Sequence, residues 1–484
     1  MRFFKFKTLD ELRAEVERLG LAEILKFDEN LEFVFKPIEI SGLKIGNRFA
    51  IHPMEGCDGT LDGRPDELTF RRWRRFGAGG VKLIWGEATA VVEEGRANPR
   101  QLLLNEKNLK FFAELVKTTR EEHKKIWGDD SDLVIGIQLT HSGRWSYKKP
   151  MIAFHNPVVD KLTFVDKGKK ITIDDSYPVV SDEYLEKLED KFVECAKLAY
   201  EAGFQFIDIK QCHTYLLNEL LAGKTRGGKY GGDFQNRTRF IRNVISKIKS
   251  ELGDKILLAS RINVFDCIPF VKGEDGIGRP VEYPVPYLFG FGVNENDPLK
   301  PDLTEPIKLV ELLSSLGVKM INISMGSPYY NPHIGRPFET PPFDGYIQPE
   351  HPLIGVARHF KLTAEIKKAI DSFNKSEGEI LVVGTGYSYL REYFIYAGEA
   401  NLKENKVSIV GVGRGALAYP DFISDLKKYS KLNPSKVCIT ISHCTNLMRS
   451  KHNELGQFPT GCVPRDRVYA EIFRVARERW KTLM

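Results

Sequence analysis

Short apolar segments rich in β-branched residues alternate along the chain with longer segments whose apolar residues recur at helical spacing. Eight segments of the first kind predict strands, at 48–52, 81–85, 133–139, 205–210, 256–261, 319–324, 380–383 and 407–410. The helical pattern between and after them predicts helices near 66–76, 107–124, 181–201, 235–251, 304–316, 356–370, 388–398 and 420–430. Eight strand–helix units in series predict an α/β fold of the (β/α)8 TIM-barrel type. A doubly wound sheet is the alternative, but Pro53-Met54-Glu55-Gly56 is not the glycine fingerprint that such a sheet carries after its first strand.

The pattern divides the chain into three parts. Residues 1–36 are predicted to form an N-terminal helical extension, residues 37–430 the barrel, and residues 431–484 a C-terminal helical segment that contains cysteines. The extension could cap the barrel or mediate contacts in a homo-oligomer. Long loops at 144–180, 264–301 and 325–353 each follow a predicted strand. In a barrel they would therefore rise from the catalytic face and shape the mouth of a substrate pocket.

Charged side chains end the fourth predicted strand. Alternation places Phe206, Asp208 and Lys210 on one face of that strand, and His213 and Tyr215 follow in the next loop. Inward charge at the C-terminal end of a strand is typical of a barrel active site. The alternative is a surface loop with a solvated lysine–histidine pair.

Two further strands end in polar side chains on their predicted inner faces. Gln138 ends the third strand, and its amide could bind the pyrimidine edge of a flavin or make a core hydrogen bond. Arg261 ends the fifth, and a buried guanidinium needs an anionic partner, either Asp208, Glu87 or a ligand. His141 and Arg144, just beyond Gln138, could form a structural pair that steadies the loop.

Glycine-rich segments follow the last two predicted strands. Gly384-Thr385-Gly386 and Gly411-Val412-Gly413-Arg414-Gly415 would place backbone N–H groups and an arginine where barrels commonly bind phosphate. A phosphate-bearing ligand is the prediction.

Composition and charge narrow the class of protein. The net charge of +6 over 484 residues argues against a dedicated nucleic-acid surface. No segment approaches the roughly 20 consecutive apolar residues of a membrane-spanning helix, and residues 1–7 do not form a signal peptide. Seven scattered cysteines favour a reducing compartment, so the predicted location is the cytoplasm.

Four motifs in order resemble those of the old yellow enzyme family of NAD(P)H:flavin oxidoreductases. They are Gln-Leu-x-His-x-Gly-Arg at 138–144, His-x-Tyr-Leu-Leu-Asn at 213–218, Tyr-Gly-Gly-x-x-x-Asn-Arg at 230–237, and Gly-Arg followed by Ala-x-Pro-Asp at 413–421. Shorter matches at 47–54, 86–89 and 95–96 extend the resemblance over about residues 37–421.

The resemblance implies non-covalent FMN in the barrel, reduced by NAD(P)H, and an electron-poor alkene such as an α,β-unsaturated carbonyl as the oxidant. It assigns Pro53, Met54 and Ala88 to the isoalloxazine, Gln138 to the pyrimidine edge, Arg261 to N1 and the C2 carbonyl, and Gly384, Thr385, Gly413 and Arg414 to the phosphate. His213 would bind a substrate carbonyl oxygen, and Tyr215 would donate the proton. The implied cycle is ping-pong: hydride passes from NAD(P)H to flavin N5 and then to the alkene β-carbon.

Three residues depart from the family's motifs. Lys210 stands where a histidine is common; it could bind an enolate or carboxylate, or be neutralised by Asp208. Thr214 stands where glycine is usual. Glu55 would disfavour flavin reduction or bind a cationic substrate group.

The C-terminal segment raises the question of a metal. Larger relatives carry a four-cysteine iron–sulfur site there, followed by a second dinucleotide-binding portion. Cys438, Cys444 and Cys462 lack the fourth cysteine and the tight spacing, so no intact [4Fe–4S] centre is predicted. A zinc site with His443 or His452 is the alternative to thiols packed in a tail.

Two other functions compete with alkene reduction. One is an FMN-dependent dehydrogenase or demethylase that oxidises an amine or alcohol, for which Glu55, Asp208 and Lys210 could supply the polar chemistry. The other is a barrel without cofactor that acts as a binding protein.

Overall fold

The computed structural model describes residues 3–373, 380–450 and 457–483, and its centre is a closed barrel of eight parallel strands. These are β1 (Phe49–Ile51), β2 (Leu83–Ala90), β3 (Val134–Thr140), β4 (Phe206–Ile209), β5 (Leu257–Asn263), β6 (Met320–Ser324), β7 (Leu381–Gly384) and β8 (Ile409–Val412). Each strand pairs with the next in the chain, and β8 pairs with β1. The predicted (β/α)8 barrel is confirmed.

Helices surround the barrel and follow its strands. They are α1 (Leu9–Arg18), α2 (Glu67–Ala78), α3 (Leu109–Trp127), α4 (Asp182–Glu201), α5 (Leu216–Ala222), α6 (Phe234–Arg237), α7 (Arg239–Leu252), α8 (Thr304–Ser315), α9 (Pro332–Gly335), α10 (Pro352–Phe373), α11 (Phe394–Lys403), α12 (Arg414–Ala418), α13 (Phe422–Tyr429), α14 (His443–Arg449) and α15 (Arg467–Leu483). Short 3-10 segments lie at Phe33–Phe35, Glu93–Gly95, Gly143–Trp145, Asp160–Leu162 and Tyr387–Tyr393. The helix predicted at 388–398 therefore begins only at Phe394.

Three antiparallel pairs of short strands lie outside the barrel sheet. They are Ile38–Ile40 with Leu43–Ile45, Phe164–Asp166 with Ile171–Thr172, and Phe270–Lys272 with Gly278–Pro280. The last two lie in long loops that follow β3 and β5, on the side of the barrel where the strands end.

The alternation of the strands decides what fills the barrel. Trp85, Phe206, Leu257 and Met320 belong to a separate apolar cluster formed almost entirely by inward side chains, and Ile207 belongs to the cluster between strands and helices. This confirms the predicted assignment of inward-facing and outward-facing residues on β4. It places Asp208, two residues after Phe206, at the top of the barrel interior.

A bulge interrupts β2 where it pairs with β3. Gly86 pairs with Ile137 and Ala88 pairs with Gln138, so Glu87 is the extra residue. Glu87 turns toward α2, where its carboxylate accepts from Arg72 and from Trp73 Nε1 (3.0 Å). The bulge therefore brings Ala88, instead of the acidic Glu87, into the inner layer beside Gln138.

The two ends of the chain pack on the outside of the barrel. Leu12 and Val16 of α1, and Val437 and Cys462 of the C-terminal segment, join the same apolar cluster as the barrel helices. The backbone N–H groups of Glu32, Phe33 and Val34 donate to the Glu399 carboxylate on α11. Within the predicted helical extension of residues 1–36, α1 ends at Arg18, and the chain turns at Gly20 with φ 68°. The division into three parts stays a prediction.

No helix in the described ranges combines the length and the apolar character that crossing a bilayer requires.

Candidate active site

A cavity of about 160 Å³ opens at the C-terminal ends of the strands. It is lined by predicted site residues from several strands: Met54, His213, Arg261, Thr385, Gly413 and Arg414. Pro53 and Gly384 are the chain neighbours of Met54 and Thr385, and both are buried. The structure thus brings together residues that lie up to 360 positions apart in the sequence.

A buried carboxylate organises the floor of the site. Asp208 accepts from Gln138 Nε2 at 2.6 Å, from Trp85 Nε1 at 2.7 Å and from the backbone N–H of Arg261 at 2.7 Å. Burial raises the pKa of Asp208, and these hydrogen bonds oppose the rise. Because the amide nitrogen of Gln138 is engaged, its carbonyl oxygen is the atom left to accept from a ligand.

The Arg261 guanidinium brings a cation to the cavity and forms no salt bridge with a described carboxylate. Neither predicted protein partner pairs with it: Asp208 accepts from the Arg261 backbone N–H and not from its side chain, and Glu87 is held by Arg72. Arg261 Nε is buried and has no partner among the described residues. Burial is the main cause that lowers the pKa of Arg261. An arginine in this position fits a site for a ligand that carries or gains negative charge.

The Lys210 ammonium and two tyrosine side chains lie close together at the end of β4. The Lys210 ammonium lies 3.6 Å from the centroid of the Tyr215 ring, and the Tyr215 hydroxyl lies 3.0 Å from that of Tyr329. Within the described ranges Lys210 forms no salt bridge, and Asp208 acts on its ammonium through charge without a direct contact. Lys210 and Tyr215 are both at most 5% exposed, which excludes the solvated surface loop.

The loop after β4 has an unusual backbone. His213 and Thr214 both have left-handed φ, 66° and 57°, at a cost of about 1–3 kcal/mol each. Three contacts hold this shape: Thr214 N–H donates to Asn218 Oδ1 (2.6 Å), Trp145 Nε1 donates to Thr214 Oγ1 (2.9 Å), and His213 Nε2 lies 2.9 Å from Ser324 Oγ. The left-handed φ explains why glycine is usual where Thr214 stands.

Glu55 is a half-buried carboxyl beside this group. It accepts from Asn98 Nδ2 and, at 3.2 Å, from Gln101 Nε2. Burial raises the pKa of Glu55 to about 7, while the Lys210 charge pulls it down and Glu87 pushes it up. Glu55 therefore changes charge within the physiological range.

Replacing Glu55 with glutamine is expected to flatten the pH dependence of flavin reduction. Below about pH 7 the carboxyl is neutral; above it, the carboxylate opposes negative charge gained by a flavin in the cavity, so reduction by NAD(P)H slows as pH rises. Anaerobic stopped-flow between about pH 6 and pH 8 measures this rate. Glu282→Gln, at an exposed glutamate, is the control. An inflection that persists unchanged in Glu55→Gln would contradict this role.

The opposite end of the cavity carries donors suited to phosphate. Arg414 Nη2 donates to the Pro337 carbonyl oxygen at 2.7 Å, and its Nη1 is buried with no partner in the described chain. The Cβ position of Gly413 has no atom closer than 3.5 Å, whereas that of Gly386, with φ 99°, lies 3.0 Å from His359 Cβ. The unpartnered guanidinium nitrogens of Arg261 and Arg414, which line one cavity, fit a flavin that bears a phosphate.

Two lining residues escaped the sequence reasoning. His52 lies 3.2 Å from Asn322 Nδ2 and 3.3 Å from Thr385 Oγ1, and burial drives its pKa well below the usual value, so the ring is neutral. Its place just before Pro53 was the available signal. Arg336, in the long loop after β6, also lines the cavity and had no motif to mark it.

His141 and Arg144 do not form the predicted pair. His141 Nε2 lies 2.9 Å from the Tyr184 hydroxyl, and Arg144 forms salt bridges with Asp160 and Glu219 (2.6 Å). Both residues steady the loop after β3, but through separate partners.

The three C-terminal cysteines line a common small cavity, to which Arg414 also contributes. In the described part of the chain, no three His, Cys, Asp or Glu side chains are arranged to hold a metal ion. His452, one of the candidate ligands, lies outside the described residues.

Comparison with known proteins points to one family. The model of the NADH:flavin oxidoreductase / NADH oxidase family matches residues 33–277. An NADPH dehydrogenase of Geobacillus sp. is 32% identical over 249 residues, which cover 49% of this chain and 64% of that protein.

Two solved structures share the fold. The old yellow enzyme homologue from Zymomonas mobilis matches 84% of this chain and 95% of its own, with a TM-score of 0.57 and 17% identity. The 2-naphthoyl-CoA reductase complex matches 91% of this chain and 58% of its own, with a TM-score of 0.62 and 17% identity.

The match spans 64% and 60% of the length of two curated NADPH dehydrogenases, less than two thirds of each. The family model nonetheless covers half of this chain, from before β1 to beyond β5. The chain belongs to the NADH:flavin oxidoreductase / NADH oxidase family, the old yellow enzyme family of FMN oxidoreductases that NAD(P)H reduces.

Proposed function

We propose that this protein takes hydride from NAD(P)H onto FMN and passes it to an electron-poor alkene of the α,β-unsaturated carbonyl type, with Tyr215 as the proton donor. The observation that carries the proposal is the grouping of Lys210, His213 and Tyr215 at the end of β4, beside a cavity that is lined by His213, Arg261 and Arg414. Side chains that can bind a substrate carbonyl, and a phenol that can protonate a carbon atom, therefore lie next to side chains suited to binding a flavin.

FMN is assigned to the cavity by the donors that converge on it. Gln138, oriented by Asp208, and Arg261 would meet the polar pyrimidine edge; Pro53, Met54 and Ala88 would line the ring; Gly384, Thr385, Gly413 and Arg414 would bind the phosphate. When bound, FMN supplies hydride acceptance from NAD(P)H and hydride delivery to the alkene.

Lys210 and His213 would bind and polarise the substrate carbonyl oxygen. Burial lowers the pKa of both side chains, and the Lys210 charge further lowers that of His213, so the His213 ring is neutral. The charges of Glu55 and Asp208 oppose the fall in the pKa of Lys210, whose ammonium would supply the positive charge. A positive charge beside this oxygen stabilises the negative charge that develops there as hydride reaches the β-carbon.

Tyr215 is suited to hold a proton until the substrate requires it. Burial raises the pKa of its phenol well above the usual value, so it stays protonated through the neutral range. Its hydroxyl is 3.0 Å from that of Tyr329, which is 38% exposed. Tyr329 therefore connects the buried acid to solvent, from which its proton can be restored.

An aromatic wall limits water at this edge. The rings of Trp145 and Tyr329 stack with centroids 3.9 Å apart, and Trp145 is tied to Thr214 through its indole N–H. Limited water strengthens the interaction between Lys210 and a substrate oxygen.

A second candidate is an FMN dehydrogenase that oxidises an amine or alcohol. The pKa of about 7 at Glu55 favours it, because a carboxyl that titrates near neutrality can accept a proton from such a substrate.

Flavin binding and reduction test the proposal. Purified protein incubated with FMN is expected to be yellow and to bleach anaerobically on addition of NADPH or NADH. Protein that stays colourless would favour a barrel without cofactor. A bound flavin that neither nucleotide reduces would favour the dehydrogenase.

A further inference from the structure

A second arginine, half-buried like Arg414, lies at the phosphate end of the cavity. Arg336 immediately follows α9 in the long loop after β6 and lines the same cavity as Arg414. The two are neighbours, since Arg414 Nη2 donates to the carbonyl oxygen of Pro337, the residue after Arg336. Arg336 Nε and Arg414 Nη1 are both buried without a partner in the described chain.

No described carboxylate neutralises this pair. Arg336 Nη1 donates to the neutral hydroxyl of Thr445 at 2.7 Å. Asp344, an acid whose charge acts on Arg336, is engaged by Arg449 at 2.8 Å. Two guanidinium groups side by side repel each other, and each has a nitrogen buried without a partner in the described chain, so an anion between them would offset both costs.

We propose that Arg336 and Arg414 form a two-arginine site for a phosphate monoester, namely the phosphate of FMN. Arg336 is then a cofactor-binding residue that the loop after β6 supplies in addition to the glycines after β7 and β8. The inference rests on the proposed function, because it takes FMN as the occupant of the cavity.

The chemistry favours a phosphate over a single carboxylate. A phosphate monoester carries close to two negative charges at neutral pH and three acceptor oxygens. Two arginines match that charge, and the fork of N–H donors on each guanidinium can bind two oxygens at once. The nearby Gly413, whose Cβ position has no atom closer than 3.5 Å, leaves room for phosphate oxygens to approach the backbone.

The C-terminal segment positions Arg336. Besides the Thr445 contact, Ser442 Oγ donates to the Thr340 carbonyl oxygen at 2.7 Å, and Asn446 Oδ1 accepts from the Phe343 N–H at 2.9 Å. These contacts fasten the loop after β6 to the residues around α14. A consequence is that the segment after the barrel contributes to FMN binding without touching the cofactor.

The test compares FMN with riboflavin, which lacks the phosphate, on the full-length apoprotein. Dissociation constants are measured by quenching of flavin fluorescence. Arg336→Met is expected to raise the dissociation constant for FMN by about ten- to a hundredfold, as for the loss of one or two hydrogen bonds to a charged group. The dissociation constant for riboflavin should not change. Arg336→Lys should weaken FMN binding less than Arg336→Met does. Thr445→Val should also weaken FMN binding. Arg74→Met, at an exposed arginine on α2, is the control for general positive charge.

Several outcomes would overturn the inference. Equal weakening of FMN and riboflavin by Arg336→Met would show that Arg336 only packs the loop. Unchanged FMN affinity with a raised KM for NADPH but not for NADH would assign the pair to the 2′-phosphate on the adenosine ribose of NADPH. If the unmodified protein binds FMN no better than riboflavin, the phosphate site is wrong but the flavin site stands. If it binds neither, the proposed function itself fails.

Discussion

Replacing Tyr215 with phenylalanine is expected to slow alkene reduction by about 10²- to 10⁴-fold, the usual contribution of a positioned acid, and to leave reduction by NAD(P)H unchanged. The change removes one hydroxyl and keeps the ring that covers the Lys210 ammonium, so packing is preserved. Stopped-flow measurement of the two half-reactions separates the effects, because the proton is needed only when the alkene is reduced.

Tyr184→Phe is a matched control for the loss of a phenol hydroxyl. Tyr184 lies on α4, where its hydroxyl contacts His141 and Glu94, away from the cavity. Neither half-reaction should change in this variant. Equal slowing of both half-reactions in Tyr215→Phe would show that Tyr215 shapes the flavin or nicotinamide site and is not the acid.

Replacing Arg261 with methionine is expected to lower the reduction potential of bound FMN and to slow its reduction by about 10²- to 10³-fold, as for other groups that stabilise developing charge. Arg261 is the cation on β5 that would meet the pyrimidine edge, where negative charge accumulates on reduction. Potentiometric titration and anaerobic stopped-flow measure the two effects. Arg261→Lys should retain part of both, because it keeps the charge but not the fork of donors.

Apoprotein stability distinguishes this role from a structural one. Within the described residues no carboxylate forms a salt bridge with the Arg261 guanidinium, although its charge lowers the pKa of the buried Asp208. Asp208 keeps its three hydrogen-bond donors when Arg261 becomes methionine, so urea unfolding of the apoprotein should show only a small loss of stability. A loss of several kcal/mol together with an unchanged flavin potential would contradict the assignment to the cofactor.

Strand periodicity was sufficient to predict the barrel and its inner face. Gln138, Asp208 and Arg261 lie on the predicted faces of β3, β4 and β5, because a period of two leaves only one choice once the apolar residues are assigned. The glycines after β7 and β8 likewise lie beside the cavity, since successive parallel strands must end at the same rim.

Contacts that depend on irregular backbone could not be predicted in this way. The bulge at Glu87 turns the side chains that follow it on β2 to the opposite face. Glu87 therefore points away from the barrel interior and pairs with Arg72, and it is not available as a partner for Arg261. The sequence allowed an ion pair between Lys210 and Asp208, which lie two positions apart on one face of β4, but the Lys210 ammonium extends over the Tyr215 ring. Arg336 reaches the cavity from a 29-residue loop whose path is set by contacts with the C-terminal segment, which no local pattern encodes.

The central claim is that one cavity accepts electrons from NAD(P)H and delivers them to an electron-poor alkene. The direct measurement is anaerobic: enzyme bleached with one equivalent of NADPH or NADH is mixed with a panel of α,β-unsaturated carbonyl compounds, and the return of oxidised flavin absorbance is followed. We predict rapid return with at least one of them, with formation of the saturated product. Return with oxygen alone, and with none of the alkenes, would contradict the account.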